Sequence, residues 1–311
     1  MAPLSYPGQK EFAFTILDDT DDSTVENVEP IYDLLYELGM RTTKTLWPVA
    51  CPEATGWYRS GKTLADDEYR RFAHRLAERG FELTWHCATM ESSTRKRTEQ
   101  ALEIFRREFG FYPSVHANHG QNRENIYWGP KRYRNLLLKA AHRVQARGRD
   151  PEFVGEVEGS PYFWGDLCHR HFRYVRGFTF HQINTLRADP GLVYRLRSTP
   201  YVNRWFSTSD AADVNEFTRL VTRRSIDELR SSRGLCILST HLGKGFVRNS
   251  RIEPKVEDAL RYAASLPGWF VPVSEMLDWF VSRTPVVERS LARQLTVELR
   301  HVVDRARTAL W

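Results

Sequence analysis

Histidines and carboxylates stand at the ends of four separate β-prone segments of this 311-residue chain. The residues are Asp18, Asp19, His86, His119 and His241. Carboxylates and imidazoles ligate divalent metal ions and act as general acids and bases near neutral pH. A single histidine at a strand end is more often a hydrogen-bonded structural residue. Acidic residues and histidines at four strand ends predict one shared site.

Asp18 and Asp19 directly follow the apolar run of residues 12–17. Neighbouring side chains on a strand point to opposite sides, so one carboxylate is expected to enter a cavity as a base while the other turns towards a cation. Asp22 and Ser23 have a simpler interpretation, because they are well placed to cap the helix that follows. Asp21 is grouped with them as part of the same possible cap.

The segments that position these residues alternate between strand and helix patterns. Strands are predicted at residues 12–17, 41–47, 81–86, 113–118, 235–240 and from 268, with helices between them. Ser23 and Glu26 form a predicted capping box at the first helix. Such repeated units favour a parallel sheet, either open or closed into a barrel.

Two regions depart from this alternation. Residues 148–209 have no helical period and are expected to form functional loops with short strands. They contain His169, His171 and His181, which could form a second metal site but have no ligand template. Helices are expected near residues 213–231 and 256–265, and residues 286–310 form an amphipathic, arginine-rich helix. The predicted organisation is an N-terminal extension (1–10), a barrel domain (11–283) and a C-terminal helix (284–311).

Composition and charge exclude several classes of protein. With 41% hydrophobic and 27% charged residues, the chain is not disordered, and no apolar run approaches the roughly 20 residues that span a bilayer. The four scattered cysteines and the missing signal-peptide pattern predict a cytoplasmic protein with free thiols. The net charge of +6 comes from basic residues mixed with acidic ones, which favours a solvated surface over nucleic-acid binding.

The order of these motifs resembles the polysaccharide deacetylase (NodB-homology) family. The resemblance rests on Phe14-Thr-Ile-Leu-Asp18-Asp19-Thr20, on His86 at the end of the third strand, on Leu238-Ser-Thr-His241, and on the closing segment from Gly268. It covers residues 11–282 and is weakest between 120 and 230. It implies an α/β fold, a distorted parallel (β/α) barrel of about seven strands, and a divalent metal, usually zinc.

The resemblance also implies a role for each matching residue. Asp18 corresponds to the catalytic base, Asp19 to a metal-binding aspartate, and His86 to the first metal-binding histidine. His241 corresponds to the histidine that protonates the leaving group. The implied reaction is metal-assisted hydrolysis of an amide or ester of a sugar.

The sequence departs from the family at two motifs. Met90 stands where the second metal histidine is expected, and a thioether is a poor zinc ligand. The segment from His116 to Gly120 replaces a motif whose arginine orients the base. His119 is therefore predicted to be the third metal ligand, with His116 as an alternative and Glu91 as a weaker one.

Further residues are predicted to contact the substrate. Trp47 and Trp128 could stack on a sugar, although packing is an equally good interpretation. Lys244 could meet an anionic group or remain solvated. His116 and Asn118, beside His119, are the remaining candidates. The expected substrate is a small sugar or glycoconjugate, linked to a nucleotide or a lipid.

Two other functions fit parts of the sequence. A metal-free carbohydrate-binding protein on a decayed deacetylase barrel would explain Met90. A haloacid-dehalogenase-like phosphatase would use Asp19 and Asp21, but it needs a later acidic pair and leaves the histidines without roles. Binding to nucleic acid has the net charge as its only support, and the sequence makes no prediction of oligomeric state.

Overall fold

Short parallel strands alternate with helices along most of the chain in the computed structural model, which describes residues 4–51, 61–146, 148 and 150–308. The strands are β1 (Phe12–Asp18), β2 (Thr43–Leu46), β3 (Glu82–Trp85), β4 (Val115–His116), β5 (Tyr174–Phe180), β6 (Val193–Tyr194), β7 (Trp205–Asp210), β8 (Leu235–Thr240), β9 (Val247–Arg248), β10 (Arg251–Ile252) and β11 (Gly268–Trp269). The helices are α1 (Val25–Glu37), α2 (Asp67–Glu78), α3 (Arg95–Phe109), α4 (Leu136–Ala146), α5 (Gly165–His171), α6 (Thr185–Ala188), α7 (Val214–Leu220), α8 (Arg223–Ser231), α9 (Pro254–Ala264), α10 (Val273–Arg283) and α11 (Leu291–Thr308).

Seven of the strands form a closed parallel barrel in the order β1-β2-β3-β4-β5-β7-β8, and β8 pairs back with β1. All seven residues of β1 are buried, as expected for a strand covered by helices outside and side chains inside. The barrel is distorted because β11 pairs with the start of β1, and β6 adds to β7 in the antiparallel direction. The predicted seven-stranded (β/α) barrel with a C-terminal helix is confirmed.

Several predicted boundaries change for local reasons. Two barrel strands, β5 and β7, lie inside the region expected to be irregular. The expected strand at 113–118 pairs only as β4, since the Asn118 side chain accepts from the backbone N–H of Ile126 at 2.9 Å and turns the chain away. The single helix expected near 213–231 is two helices, because Thr222 and Ser225 form a capping box that starts α8.

The start of α1 also differs from the prediction by one residue. Thr24 is the N-cap, and the Asn27 side chain accepts from the backbone N–H of Thr24 at 2.8 Å. Ser23 is not free to cap because its hydroxyl is buried and accepts from Lys44 Nζ at 2.9 Å. The Ser23–Glu26 capping box is therefore wrong.

In the described part of the chain, no helix is long and apolar enough to cross a membrane. The four cysteines form no disulfide with one another.

A charged cluster attaches α11 to the carboxyl end of the barrel. Asp304 accepts from the backbone N–H of His181 at 2.7 Å and lies 3.3 Å from Nδ1 of its ring, while Glu216 lies 3.5 Å from Nε2. Arg305 donates to Asp210 at 2.6 Å, next to the same ring. Burial alone would lower the pKa of His181, but the hydrogen bonds to Asp304 and Glu216 outweigh it and raise the pKa to about 9.

This raised pKa predicts a pH-dependent stability contribution from His181. A group whose pKa rises on folding stabilises fully below its unfolded value of about 6.5, and the contribution is lost as the pH rises through 9. His181→Gln should lower the free energy of unfolding by on the order of 1–3 kcal/mol at pH 6 and by clearly less at pH 9.5.

Thermal unfolding of both proteins at the two pH values measures this difference. His169→Gln, which changes an exposed histidine on α5, is the control and should shift the melting temperature little at either pH. An equal loss at pH 6 and pH 9.5 would show that the ring is not charged in the folded protein.

Candidate active site

A cavity of about 530 Å³ opens at the carboxyl ends of the barrel strands. Its inner end carries the side chains of Asp19, Asp21, His86, His119, Arg176, His241 and Lys244. In parallel barrels this end is built from the loops that follow the strands. The cavity therefore gathers chemistry-bearing residues from the loops after β1, β3, β4 and β8 and from β5.

Asp21 lies at the centre of a buried cluster with two histidines. Its Oδ2 is 3.1 Å from Nε2 of His86, and its Oδ1 is 3.1 Å from Nε2 of His119. The three ligand atoms lie within 4.8 Å of one another, close enough to hold one metal ion. Burial would raise the pKa of the Asp21 carboxyl, but the charge of His119 and hydrogen bonds from both histidines hold it well below its usual range.

The far nitrogens of both histidines are held by the surrounding loops. His86 Nδ1 lies 2.9 Å from the carbonyl oxygen of Ala117, and His119 Nδ1 lies 3.3 Å from Asn122 Oδ1. Asn122 in turn donates to Glu124 at 3.0 Å, and burial raises the pKa of the Glu124 carboxyl to about 7. Such outer contacts fix ring orientation and leave Nε2 of each ring facing Asp21.

Asp19 is paired with an arginine that reaches through the barrel interior. Arg176 Nη1 on β5 donates to Oδ2 of Asp19 at 2.7 Å and to Oδ1 at 3.0 Å. The same guanidinium group also donates to Ser239 on β8. Burial would raise the pKa of Asp19, but the charges of Arg176, His86 and His241 outweigh it and lower the pKa.

His241 faces the two carboxylates from the loop after β8. Its Nε2 is 3.5 Å from Asp21 and 4.0 Å from Asp19, while its Nδ1 donates to the carbonyl oxygen of Ala212 at 2.6 Å. Lys244 Nζ lies 3.9 Å from Asp21. Gly243 lets the loop after β8 pack closely against the backbone of Asp22, because a Cβ atom at position 243 would lie only 2.7 Å from that backbone.

Asp18 does not line the cavity, in contrast to its predicted role as the base. Its fully buried carboxylate pairs with Lys44 Nζ at 2.7 Å and accepts from Tyr32 at 2.8 Å and from the backbone N–H of Leu242 at 2.8 Å. The two aspartates do point to opposite sides, as predicted, but the cations that they meet are side chains, Lys44 for Asp18 and Arg176 for Asp19. Of the two, only Asp19 lines the cavity.

Comparison with solved structures identifies the fold. A protein assigned as a polysaccharide deacetylase from Mycobacterium smegmatis matches 94% of this chain and 97% of its own, with a TM-score of 0.50 and 15% identity. PuuE allantoinase matches 90% of this chain and 93% of its own, with a TM-score of 0.52 and 13% identity. Another protein assigned as a polysaccharide deacetylase, from Pseudomonas aeruginosa, matches 90% and 94%, with a TM-score of 0.51 and 12% identity. The chain has the polysaccharide deacetylase fold. No protein-family model and no curated protein matches the sequence.

Within this deacetylase fold, the two departures seen in the sequence have local substitutes. Met90 is buried. His119, from the loop after the neighbouring strand, joins His86, and the carboxylate beside them is Asp21 rather than the predicted Asp19. The fourth-strand segment has no arginine, and Arg176 on β5 is the arginine that donates to Asp19.

The predicted substrate-binding residues separate into two groups. Asn118, Trp128 and Lys244 line the cavity. His116 does not, because its buried ring is bonded to Asn118 at 2.9 Å, and burial lowers its pKa to about 3. Trp47 is also buried and packs edge-on against the ring of His119, so it supports the cluster from behind instead of offering a surface to a sugar.

The three histidines of the irregular region do not come together. His169 is exposed on α5, His171 stacks on Tyr112 with ring centroids 3.9 Å apart, and His181 contacts α11. Glu91 is not part of the Asp21 cluster either, although its backbone carbonyl oxygen accepts from Asn122.

The position of Asp18 predicts that Asp18→Asn damages folding. The substitution leaves the buried Lys44 ammonium without its counter-ion, which costs about 3–5 kcal/mol in buried pairs. We expect this loss in the free energy of unfolding, measured by urea denaturation. Asp18→Asn combined with Lys44→Met should recover part of it. Wild-type stability of Asp18→Asn would contradict this role.

Proposed function

We propose that this protein is a metal-dependent hydrolase that removes an acyl group from an amide or ester of a sugar. The observation that carries the proposal is the buried Asp21–His86–His119 cluster, flanked by Asp19 and His241 at the carboxyl end of a deacetylase barrel. The names of its structural neighbours, polysaccharide deacetylases and an allantoinase, support a hydrolase.

The cluster fits a divalent ion, and zinc in particular. One carboxylate and two imidazoles are donors that zinc uses in catalytic sites with one open position. Both rings present Nε2 to Asp21 while their Nδ1 atoms are held elsewhere, which is the arrangement of metal-binding histidines. When bound there, the ion would polarise the acyl oxygen and lower the pKa of the attacking water.

The residues around the cluster supply proton transfer. Asp19 takes over the role predicted for Asp18 and accepts a proton from the attacking water, while Arg176 holds its carboxylate in place. His241 donates a proton from Nε2 to the departing nitrogen or oxygen, since the contact of Nδ1 with Ala212 aims Nε2 at the cavity. A general base and a general acid on two sides of one cavity match the needs of acyl hydrolysis.

The substrate is proposed to be a sugar or short glycoconjugate. A volume of about 530 Å³ is in the range of cavities that enclose small molecules. Trp128 and Asn118 line its wall.

The four free cysteines support the predicted cytoplasmic location.

Metal content tests the first part of this proposal. His86→Ala, His119→Ala and Asp21→Asn each remove one of the three donors, so zinc affinity should fall at least about 100-fold, as measured by metal analysis and competition with a chelator. Met90→Leu is the matched control and should keep full metal occupancy. Full occupancy in His119→Ala would exclude the proposed ligand set.

Acetate release from a panel of N-acetylated and O-acetylated sugars tests the reaction. Asp19→Asn should lower kcat by about 10²–10⁴-fold while the metal stays bound, because it removes the proton acceptor without removing a ligand. Asp258→Asn, at an exposed position on α9, should retain activity. Purified protein that binds sugars, holds no metal and releases no acetate would favour the carbohydrate-binding alternative.

A further inference from the structure

The outer half of the cavity is built by residues outside the barrel strands. Arg132 ends the short helical turn Gly129–Arg132, His142 lies on α4, and His301 and Arg305 lie on α11. All four side chains line the same cavity as Asp21 and His241. A substrate whose acyl group reaches the inner cluster would extend past these positively charged and titratable groups.

Each carboxylate in the cavity wall already has a basic partner. Asp19 is paired with Arg176, Asp21 with His86 and His119, Asp210 with Arg305, and Asp150 with His142 at 3.6 Å. Lys244 is 3.9 Å from Asp21. Among the described residues, these pairs leave two basic side chains of the wall without a carboxylate: His301, whose ring is bonded to Tyr133, and Arg132.

Arg132 has no carboxylate oxygen within 4 Å among the residues that the structure describes, unlike the other arginines and the lysine of the cavity wall. Its guanidinium group lies over the ring of Trp128, 4.2 Å from the centroid, and its Nε makes a long contact of 3.5 Å with the carbonyl oxygen of Gly129. The stacking fixes the plane of the group and leaves its terminal nitrogens for a ligand.

The surroundings of Arg132 concentrate positive charge. Burial, together with repulsion from Arg305, lowers the pKa of Arg132, although the charges of Tyr133 and Asp150 act in the opposite direction. The pKa of the His301 imidazole is held well below its usual range, mainly by burial and in addition by the charges of Arg132 and Arg305. The ring of His301 is held by a 2.9 Å hydrogen bond between its Nδ1 and the hydroxyl of Tyr133. Positive charge without a counter-ion in a cavity attracts anions.

We propose that Arg132, with Arg305 behind it, binds an oxyanion of the substrate, either a carboxylate or a phosphate. The planar guanidinium group matches both anions in two parallel hydrogen bonds. The inference rests on the proposed function, since it makes the substrate an acidic sugar, such as a uronate or a sugar phosphate. The neutral part of the sugar would then lie between this anion and the inner cluster.

Calorimetric titration with three probes tests the inference at constant ionic strength. The probes are glucose, glucuronate and glucose 1-phosphate, each titrated into the protein as purified and again after EDTA treatment. At least one anionic probe should bind about tenfold or more tightly than glucose, and the better of the two identifies the anion. The EDTA arm keeps the result independent of the metal and of hydrolysis.

Variants of Arg132 assign the preference to this residue. Arg132→Gln should abolish the preference for the anion, and Arg132→Lys should retain a part of it because the charge remains. Arg71→Gln, at an exposed position of α2, is the control and should bind like the wild type. Equal binding of all three probes, a preference that survives in Arg132→Gln, or a preference lost with EDTA would each overturn the inference. Loss of acetate release with intact anion binding would overturn only the proposed function.

Discussion

The buried carboxylate of Asp18 is the interaction on which the geometry of the site depends. It joins β1 to β2 through Lys44, to α1 through Tyr32 and to the loop after β8 through the backbone N–H of Leu242. Asp19 follows it in the chain, and His241 precedes Leu242. The position of one buried ion pair thus determines where the proposed base and acid lie relative to each other. Burying two charges is costly unless all their hydrogen bonds are satisfied, and here the carboxylate accepts three contacts.

The charged groups of the inner site are likewise held by partners of opposite charge or by hydrogen bonds. Arg176 holds Asp19, two histidines hold Asp21, and the far nitrogens of those histidines are held by Ala117 and Asn122. Trp47 fills the space behind His119. Side chains fixed in this way need little reorganisation when charge develops during a reaction, which is the condition for electrostatic catalysis. The arrangement explains how these polar groups can be buried at the carboxyl end of the barrel.

The sequence predicted five of the seven barrel strands and missed β5 and β7. β1 and β8 are mostly apolar segments bounded by polar residues, and both were predicted. β7 has the sequence Trp-Phe-Ser-Thr-Ser-Asp, so its last four residues are polar. In β5, Arg176 and Gly177 interrupt the apolar residues. Strands that carry polar side chains inside a barrel lose the hydrophobic pattern by which strands are recognised.

The site was predicted in its chemistry and only partly in its residues. His86, His119 and His241 followed predicted strands, and the structure brings all three to Asp21. Asp21 was not predicted as a site residue, because it adjoins Asp22 and Ser23, whose residue types are typical of a helix N-cap. Arg176 could not be found from local pattern, because 157 residues separate it from Asp19.

The cavity has a reactive end and an outer wall, and these are built from different parts of the chain. The reactive end is built from the loops that directly follow barrel strands and from Arg176 on β5. The outer wall comes from two pieces outside the barrel strands: α11, which contacts the barrel through side chains such as Asp304 and Arg305, and the segment from the short turn Gly129–Arg132 to α4. Substitutions on these two pieces can alter which molecule enters without disturbing the pairing of a single barrel strand. The reaction and the substrate preference of such a protein can therefore change independently of each other.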